Sequence, residues 1–288
     1  MKDKFKATWV SHSSISDFLT CPRAYYLKNV YKDPITGHKV KHMTPALALG
    51  QAVHQVLESL SALKTNERFR EPLPNKFELA WKKISGKQGG FFSDEEESKY
   101  KARGAAMIAR VFNHPGPITR LAVKISQDLP YYWISEEDNI ILCGKVDWLE
   151  YLPESDSVHS IDFKTGKRRE DTGSLQLPIY HLLVTKTQQR DVTKASYWYL
   201  EEADTLTEKE LPNLEESSAK VLQIALKIKT ARSLQKFDCP QSGCRTCQPY
   251  EDILAGKAEF VGIDEYNSDT YVLTPVQEND MSKESKIL

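Results

Sequence analysis

Residues 141–169, ILCGKVDWLEYLPESDSVHSIDFKTGKRR, decide the fold. Two runs rich in β-branched and aromatic residues flank a polar loop, which reads as a hairpin of two strands. Asp147 falls near the middle of the first strand and Asp162 near the end of the second. A carboxylate in a buried strand is costly unless it is paired or metal-bound, so each asks for a partner. Asp162 and Lys164 are two apart and therefore share a face of their strand. Two acids and an ammonium meeting at a sheet end can hold a divalent cation and position a water, an arrangement suited to phosphodiester hydrolysis. Oxygen-rich ligation favours Mg²⁺ or Mn²⁺ over zinc. The alternative is a surface hairpin with a salt-bridged Asp–Lys pair, since Asp-x-Lys by itself is common.

Upstream, Ser13 and Ser14 are candidates to cap a first helix carrying Ile15, Phe18, Leu19 and the Tyr25-Tyr26 pair. Pro45 opens a second helix with Leu49, Val53, Leu57 and Leu60 as its apolar stripe. Helical stretches are expected around 74–85 and 94–112, and strands near 120–134, 139–151 and 157–164. Downstream, Ser174 can cap a helix from Leu175 to Lys186, residues 195–200 read as a strand, and 214–231 as an amphipathic helix. The last stretch is polar apart from Tyr271-Val272-Leu273 and is expected to be a loosely held tail. This order predicts an α/β fold with a mixed central β-sheet flanked by helices and carrying helical insertions. One domain is expected over 1–260: a helical N-terminal part (11–115), a catalytic core (118–200), and a C-terminal helix with a cysteine loop (214–255). A polar tail, 261–288, follows.

The net charge of −1 neither favours nor excludes a polyanionic partner, so nucleic-acid binding must rest on a local basic patch. No apolar run is long enough for a membrane span, and the N-terminus lacks the pattern of a secretory signal, so a cytoplasmic location is expected. In that compartment the five cysteines are expected as thiols or metal ligands rather than disulfides.

Gly144-Lys145-Val146-Asp147, then Asp162-Phe163-Lys164, then Gln176 and Tyr180 four apart on a helix, resemble the RecB-type branch of the PD-(D/E)XK nucleases. That branch carries a Gly-x-x-Asp strand, an Asp/Glu-x-Lys strand and a Gln-x-x-x-Tyr helix in this order. Its upstream helical Gly-x-x-x-His appears here as Gly50 to His54. The resemblance spans residues 11–250, poorest over 65–125, and implies a restriction-endonuclease-like core. It implies that His54, Asp147, Asp162 and the Phe163 carbonyl ligate the metal, that Lys164 steadies the attacking water, and that Gln176 and Tyr180 line and scaffold the site. It further implies a DNA nuclease, an exonuclease in first place, acting in repair, recombination or CRISPR adaptation. Many members carry a glutamate on the strand before Gly-x-x-Asp; here that region has Gln127 and Asp128. The other reading is a non-catalytic nucleic-acid-binding or structural subunit that retains the fold.

Cys239, Cys244 and Cys247 lie in a short loop with Pro240 and Gly243, a close spacing that suits a metal but supplies three ligands. Cys21 is the natural fourth. One N-terminal and three C-terminal cysteines resemble the iron–sulfur nucleases of the AddB and CRISPR-adaptation type, which implies a [4Fe–4S] staple. The order departs from that pattern, because the lone cysteine precedes the pair, and structural zinc stays open. Cys143 reads as a small buried hydrophobe. Lys164, Lys167, Arg168 and Arg169 form a basic run that can supply phosphate contacts; Arg23, Lys39 and Lys41 are candidates to extend it, and the aromatics at 131–133 to stack on bases. No Gly-x-x-x-x-Gly-Lys-Ser/Thr loop is found, so any unwinding would fall to a helicase or recombination partner.

Overall fold

The computed structural model describes residues 3–274. In chain order its elements are β1 (Thr8–Val10), α1 (His12–Thr20), α2 (Pro22–Tyr25), β2 (Lys39–His42), α3 (Pro45–Ser61), α4 (Leu73–Lys82) and α5 (Asp94–Asn113). The strands β3 (Tyr131–Ser135), β4 (Ile140–Cys143), β5 (Trp148–Leu152) and β6 (Ser157–Lys164) follow. Then come α6 (Gln176–Thr187), β7 (Val192–Tyr199), β8 (Thr207–Lys209), α7 (Leu214–Ser233), α8 (Gln248–Leu254), β9 (Glu259–Ile263) and β10 (Ser268–Val272).

Local chemistry sets the helix starts. Ser11, not Ser13 or Ser14, caps α1: its hydroxyl accepts from the Ser14 N–H while the Ser14 hydroxyl accepts from the Ser11 N–H. Thr44 caps α3, with Pro45 in the first turn where a missing N–H costs nothing. Ser93 caps α5, and Asp94, Glu95, Glu96 and Glu97 crowd its positive end. The Ser174 hydroxyl accepts from the Gln176 N–H just ahead of α6.

The hairpin β5–β6 forms as expected, antiparallel, with Trp148 opposite Ile161. It belongs to a mixed four-stranded sheet in the order β5-β6-β7-β8, where β6 and β7 run parallel. The expected strand over 139–151, however, is two strands. β4 lies in a separate sheet, β1-β4-β3, and residues 144–147 carry the chain from that sheet into the next. Asp147 therefore stands at the entry to β5 rather than in mid-strand. Of the expected strand over 120–134, only the stretch from Tyr131 is extended in a sheet; Ala122 makes a lone bridge to Glu150.

The C-terminal stretch is also more ordered than a loose tail through Val272. β10 pairs in parallel with β2 and antiparallel with β9. Buried Asp269 pins this sheet, accepting from the Thr36 hydroxyl at 2.6 Å and bonding His38 Nδ1 at 2.8 Å. The remainder of the tail, 275–288, lies outside the described residues.

Alternation along β6 divides the core. Ile161 and Phe163 join Trp148 and Trp198 against α3, α4 and α5. On the other face Val158 packs with Leu149, Val192 and Val184 of α6, and Asp162 and Lys164 share that side. A second apolar cluster joins α1, α6 and α7 to β1 and β4. On the α3 side of the sheet, Glu150, His159 and Ser196 form a buried chain across three strands, at 2.9 and 2.8 Å. Burial holds the His159 imidazole below its ordinary pKa, which leaves Nδ1 to donate to Glu150 and Nε2 to accept from Ser196.

Gly104 on α5 lets that helix lie close to side chains of α4 and α3: a Cβ there would sit 2.5 Å from the Phe77 ring and 2.9 Å from Leu49. Alanine would gain about 1 kcal/mol in helix propensity. Overpacking of a filled core costs about 1–3 kcal/mol, so Gly104→Ala is expected to destabilise, and Gly104→Val more so. A urea midpoint at or above wild type for either variant would contradict this packing.

Candidate active site

The four elements that supply the site residues meet at the carboxyl end of β6, beside its parallel neighbour β7 and the first turn of α6, the usual place for a site in a partly parallel sheet. Asp147 is held there by the backbone. Its Oδ2 accepts from the Phe163 N–H at 2.8 Å, two residues past Ile161 of the last β5–β6 pair, so the carboxylate continues the ladder that β5 has not yet begun. N–H and C=O of one strand residue face the same edge, so the Phe163 carbonyl is turned toward Asp147 as well.

Asp162 is 5% exposed. Its Oδ1 accepts from Gln176 Nε2 at 2.9 Å. Its Oδ2 lies 3.0 Å from the Lys164 ammonium but has no well-aligned hydrogen bond. Burial first, then the nearby Asp147 charge, push its pKa up to about 7, against the pull of Lys164 and His54. A buried carboxylate that is hard to ionise, with an oxygen left without a hydrogen bond, is suited to ligating a cation. The residues fit a divalent ion.

His54 reaches the same place from α3, with Nδ1 3.4 Å from Asp147 Oδ1. Burial works against its imidazolium, yet the hydrogen bond and charge of Asp147, aided by Asp162 and Glu58, hold its pKa above the ordinary value. Gly50, one turn earlier, lets α3 lie close to the loop after β6: a Cβ there would meet Thr165 Oγ1 at 3.3 Å. Gly144 has a similar use, since a Cβ would come 2.8 Å from Leu183 of α6.

Gln176 ties the acids to the lysine. Its Nε2 donates to Asp162 and, at 3.3 Å, to the Tyr180 hydroxyl, while its Oε1 accepts from Lys164. Lys164 also donates to Glu170 at 2.9 Å and lies over the Tyr197 ring at 4.7 Å. Burial lowers the pKa of this lysine, but Asp162 and Glu170 more than restore it, and it stays charged. The structure thus brings together His54, Asp147, Asp162, Phe163, Lys164, Gln176 and Tyr180.

Two neighbours escaped the sequence reading. Glu58 follows His54 by four positions, and the ligand atoms of His54, Glu58 and Asp147 lie within 4.8 Å of one another. The i,i+4 spacing on a helix was the signal available. Glu170 reaches Lys164 through an irregular loop and left no periodic trace.

The outer basic residues do not gather into one patch. Arg23 is paired with Glu251 and Lys41 with Asp264; Arg169 contacts Glu202 and stacks on Tyr199. Lys167 and Arg168 are exposed beside the site. Among the aromatics, Tyr131 packs on Trp9 and Tyr132 joins the apolar cluster of α6 and α7.

A second convergence lies at the junction of the chain's ends. Cys21, Cys239, Cys244 and Cys247 place their sulfurs within 4.8 Å of one another, a set that can hold a metal ion. Cys21 sits at the α1–α2 junction, and the other three precede or open α8. Backbone N–H groups of Cys247 and Thr246 bring the Cys244 thiol down to about 6, whereas burial pushes Cys247 up to about 12. Cys143 is apart from them, buried against the Val10 carbonyl and pushed up to about 11. In chelator-treated protein at pH 7, iodoacetamide is therefore expected to label Cys244 first, with Cys143 and Cys247 among the last. Peptide mass spectrometry reads the order, and early labelling of Cys143 would refute it.

No helix among the described residues is long and apolar enough to cross a membrane. No curated protein matches the chain. A family profile does: that of the PD-(D/E)XK nuclease superfamily covers residues 9–253, a span that includes both the carboxylate–lysine site and all four clustered cysteines. The chain belongs to the PD-(D/E)XK nuclease superfamily.

Proposed function

We propose that this protein is a metal-dependent DNA nuclease, an exonuclease in first place, that hydrolyses phosphodiester bonds. One observation carries the reading: Asp147, Asp162 and Lys164 meet at a strand end where a buried carboxylate oxygen lacks a hydrogen bond. His54, Asp147, Asp162 and the Phe163 carbonyl would hold Mg²⁺ or Mn²⁺, which would supply Lewis acidity and a more acidic water. Lys164 keeps its proton and directs an ammonium at the place where the phosphate gains negative charge, orienting the attacking water beside it. Gln176 fixes both Asp162 and Lys164, and Tyr180 backs Gln176. Lys167 and Arg168 would contact phosphates of the bound strand.

Asp147→Asn, Asp162→Asn and Lys164→Ala are each expected to slow cleavage of end-labelled DNA by about 100-fold or more. Gln176→Ala, which frees but does not remove these groups, is expected to cost about 10- to 100-fold. Wild-type activity in the aspartate variants would overturn the assignment. DNA binding without cleavage in wild type would instead support a nucleic-acid-binding subunit of the same fold.

The four cysteines are read as a structural metal staple. Their resemblance to AddB-type and CRISPR-adaptation nucleases favours a [4Fe–4S] cluster. The thiol spacing favours zinc: four sulfurs about 2.3 Å from one tetrahedral ion stand about 4 Å apart, and Cys244 and Cys247 are 3.5 Å apart here. A four-iron cube holds its ligands farther from one another. Iron, sulfide and zinc assays on anaerobically purified protein separate the two, and loss of either metal on Cys244→Ser ties it to this site. Repair, recombination or CRISPR adaptation in the cytoplasm, with a partner helicase to unwind duplex, is the setting that suits such a nuclease.

A further inference from the structure

We propose that Glu58 is a ligand of the divalent cation held by His54 and Asp147, and that the Lys145 ammonium occupies its carboxylate when that cation is absent. The proposal rests on the nuclease reading and adds to it a residue and a competing ion.

Glu58 lies on the His54 face of α3, one turn further on, and its side chain is 26% exposed. The ligand atoms of His54, Glu58 and Asp147 already lie within 4.8 Å of one another. Oxygen ligands about 2.0–2.6 Å from a shared divalent ion stand about 3–4 Å apart. The three therefore need to close by roughly an ångström, which side-chain torsions on α3 can supply. Asp162 adds a buried carboxylate beside them whose Oδ2 has no hydrogen bond. More negative charge converges here than His54 can balance.

Lys145 answers that excess. It sits two residues before Asp147 in the segment between β4 and β5, and its ammonium is bonded to Glu58. The lysine side chain is 53% exposed, so it can leave for water at little cost; exposed lysine pairs are weak. A divalent ion offers Glu58 twice the charge and a fixed geometry. Glu58, Lys145 and Asp147 also line one cavity of about 590 Å³, together with Asp128 and Tyr266, which gives an ion and a phosphate an open route to Glu58 and Asp147.

The test is Mn²⁺ affinity, read by titration calorimetry or by the Mn²⁺ resonance signal, on full-length protein with its cysteine site loaded. Glu58→Gln is expected to weaken Mn²⁺ binding about tenfold or more, as losing a ligand contact does. Lys145→Met is expected to tighten it severalfold, and to do so much less when Glu58→Gln is also present. Glu58→Asp should fall between. If Asp147→Asn abolishes Mn²⁺ binding while Glu58→Gln and Lys145→Met both leave it unchanged, Glu58 is merely the partner of Lys145 and the proposal fails. If Asp147→Asn itself binds Mn²⁺ normally, the nuclease reading fails first. Should Glu58→Gln not fold, unchanged affinity in Lys145→Met still overturns the competition.

Discussion

The hydrogen bond from the Phe163 N–H to Asp147 Oδ2 is the contact on which the rest of the site depends. Between Cys143 and Trp148 the chain leaves one sheet and enters another, and a segment doing so has no ladder of its own. The backbone groups of β6 that face this gap would be unpartnered without a substitute. A carboxylate is a strong one, and accepting a backbone N–H holds it oriented. The change of sheets thus creates both the opening at the strand end and the residue that fills it. From there the Phe163 carbonyl, the His54 imidazole and the Asp162 carboxylate are placed by ordinary strand and helix geometry.

Charge explains why so many polar groups surround one strand end. Asp147, Asp162, Glu58 and Glu170 bring four carboxylates to the site, against two lysines, Lys145 and Lys164, and one histidine. Burying carboxylates without compensation is expensive, and the rise in the Asp162 pKa expresses that cost. Gln176 offsets part of it by donating to Asp162 while accepting from Lys164, so that neither ion can swing toward the other's place. A neutral amide is the right group for this: a third lysine would neutralise the acids, and another acid would leave Lys164 no freer than Glu170 already does. The remaining negative excess is what a divalent ion would satisfy.

Much of this was legible in the sequence because it follows short-range periodicity. Two-residue spacing put Asp162 and Lys164 on one face, and four-residue spacing put Gln176 beside Tyr180. The apolar stripe of α3 carried His54 to the core's edge, and the Cys21 and Cys239–Cys247 groups were matched by ligand count alone. What escaped was set by contacts across long stretches of chain or by breaks that composition does not mark. Apolar residues resume directly after Gly144-Lys145, with Val146, Trp148 and Leu149, so the pattern of residues 139–151 did not separate β4 from β5. The polar C-terminal stretch read as loose because its partner, β2, lies at the far end of the chain, and parallel pairing of that kind leaves no local turn signal. The Ser11 cap was missed for a smaller reason: four candidate residues in a row, Ser11 to Ser14 with His12 among them, offer several starts, and the reciprocal pair with Ser14 selects the first.

The joining of the two chain ends shows how the distant parts support one another. Arg23 and Glu251 pair across 228 positions beside the four cysteines, and Arg232 reaches the Tyr25 hydroxyl from α7. Closing so long a loop removes much freedom from the unfolded chain, and the gain grows only slowly with length, so one strong link counts for more than its position in the sequence suggests. A metal held by thiolates from both ends would be such a link, and its binding energy would be folding energy. α1, which leads into Cys21, packs with α6 and α7, and α6 carries Gln176. Any loosening at the cysteines would therefore be felt at the helix that positions Asp162 and Lys164. The two candidate metal sites are distinct in chemistry, one thiolate and one oxygen-rich, but the same helices bear on both.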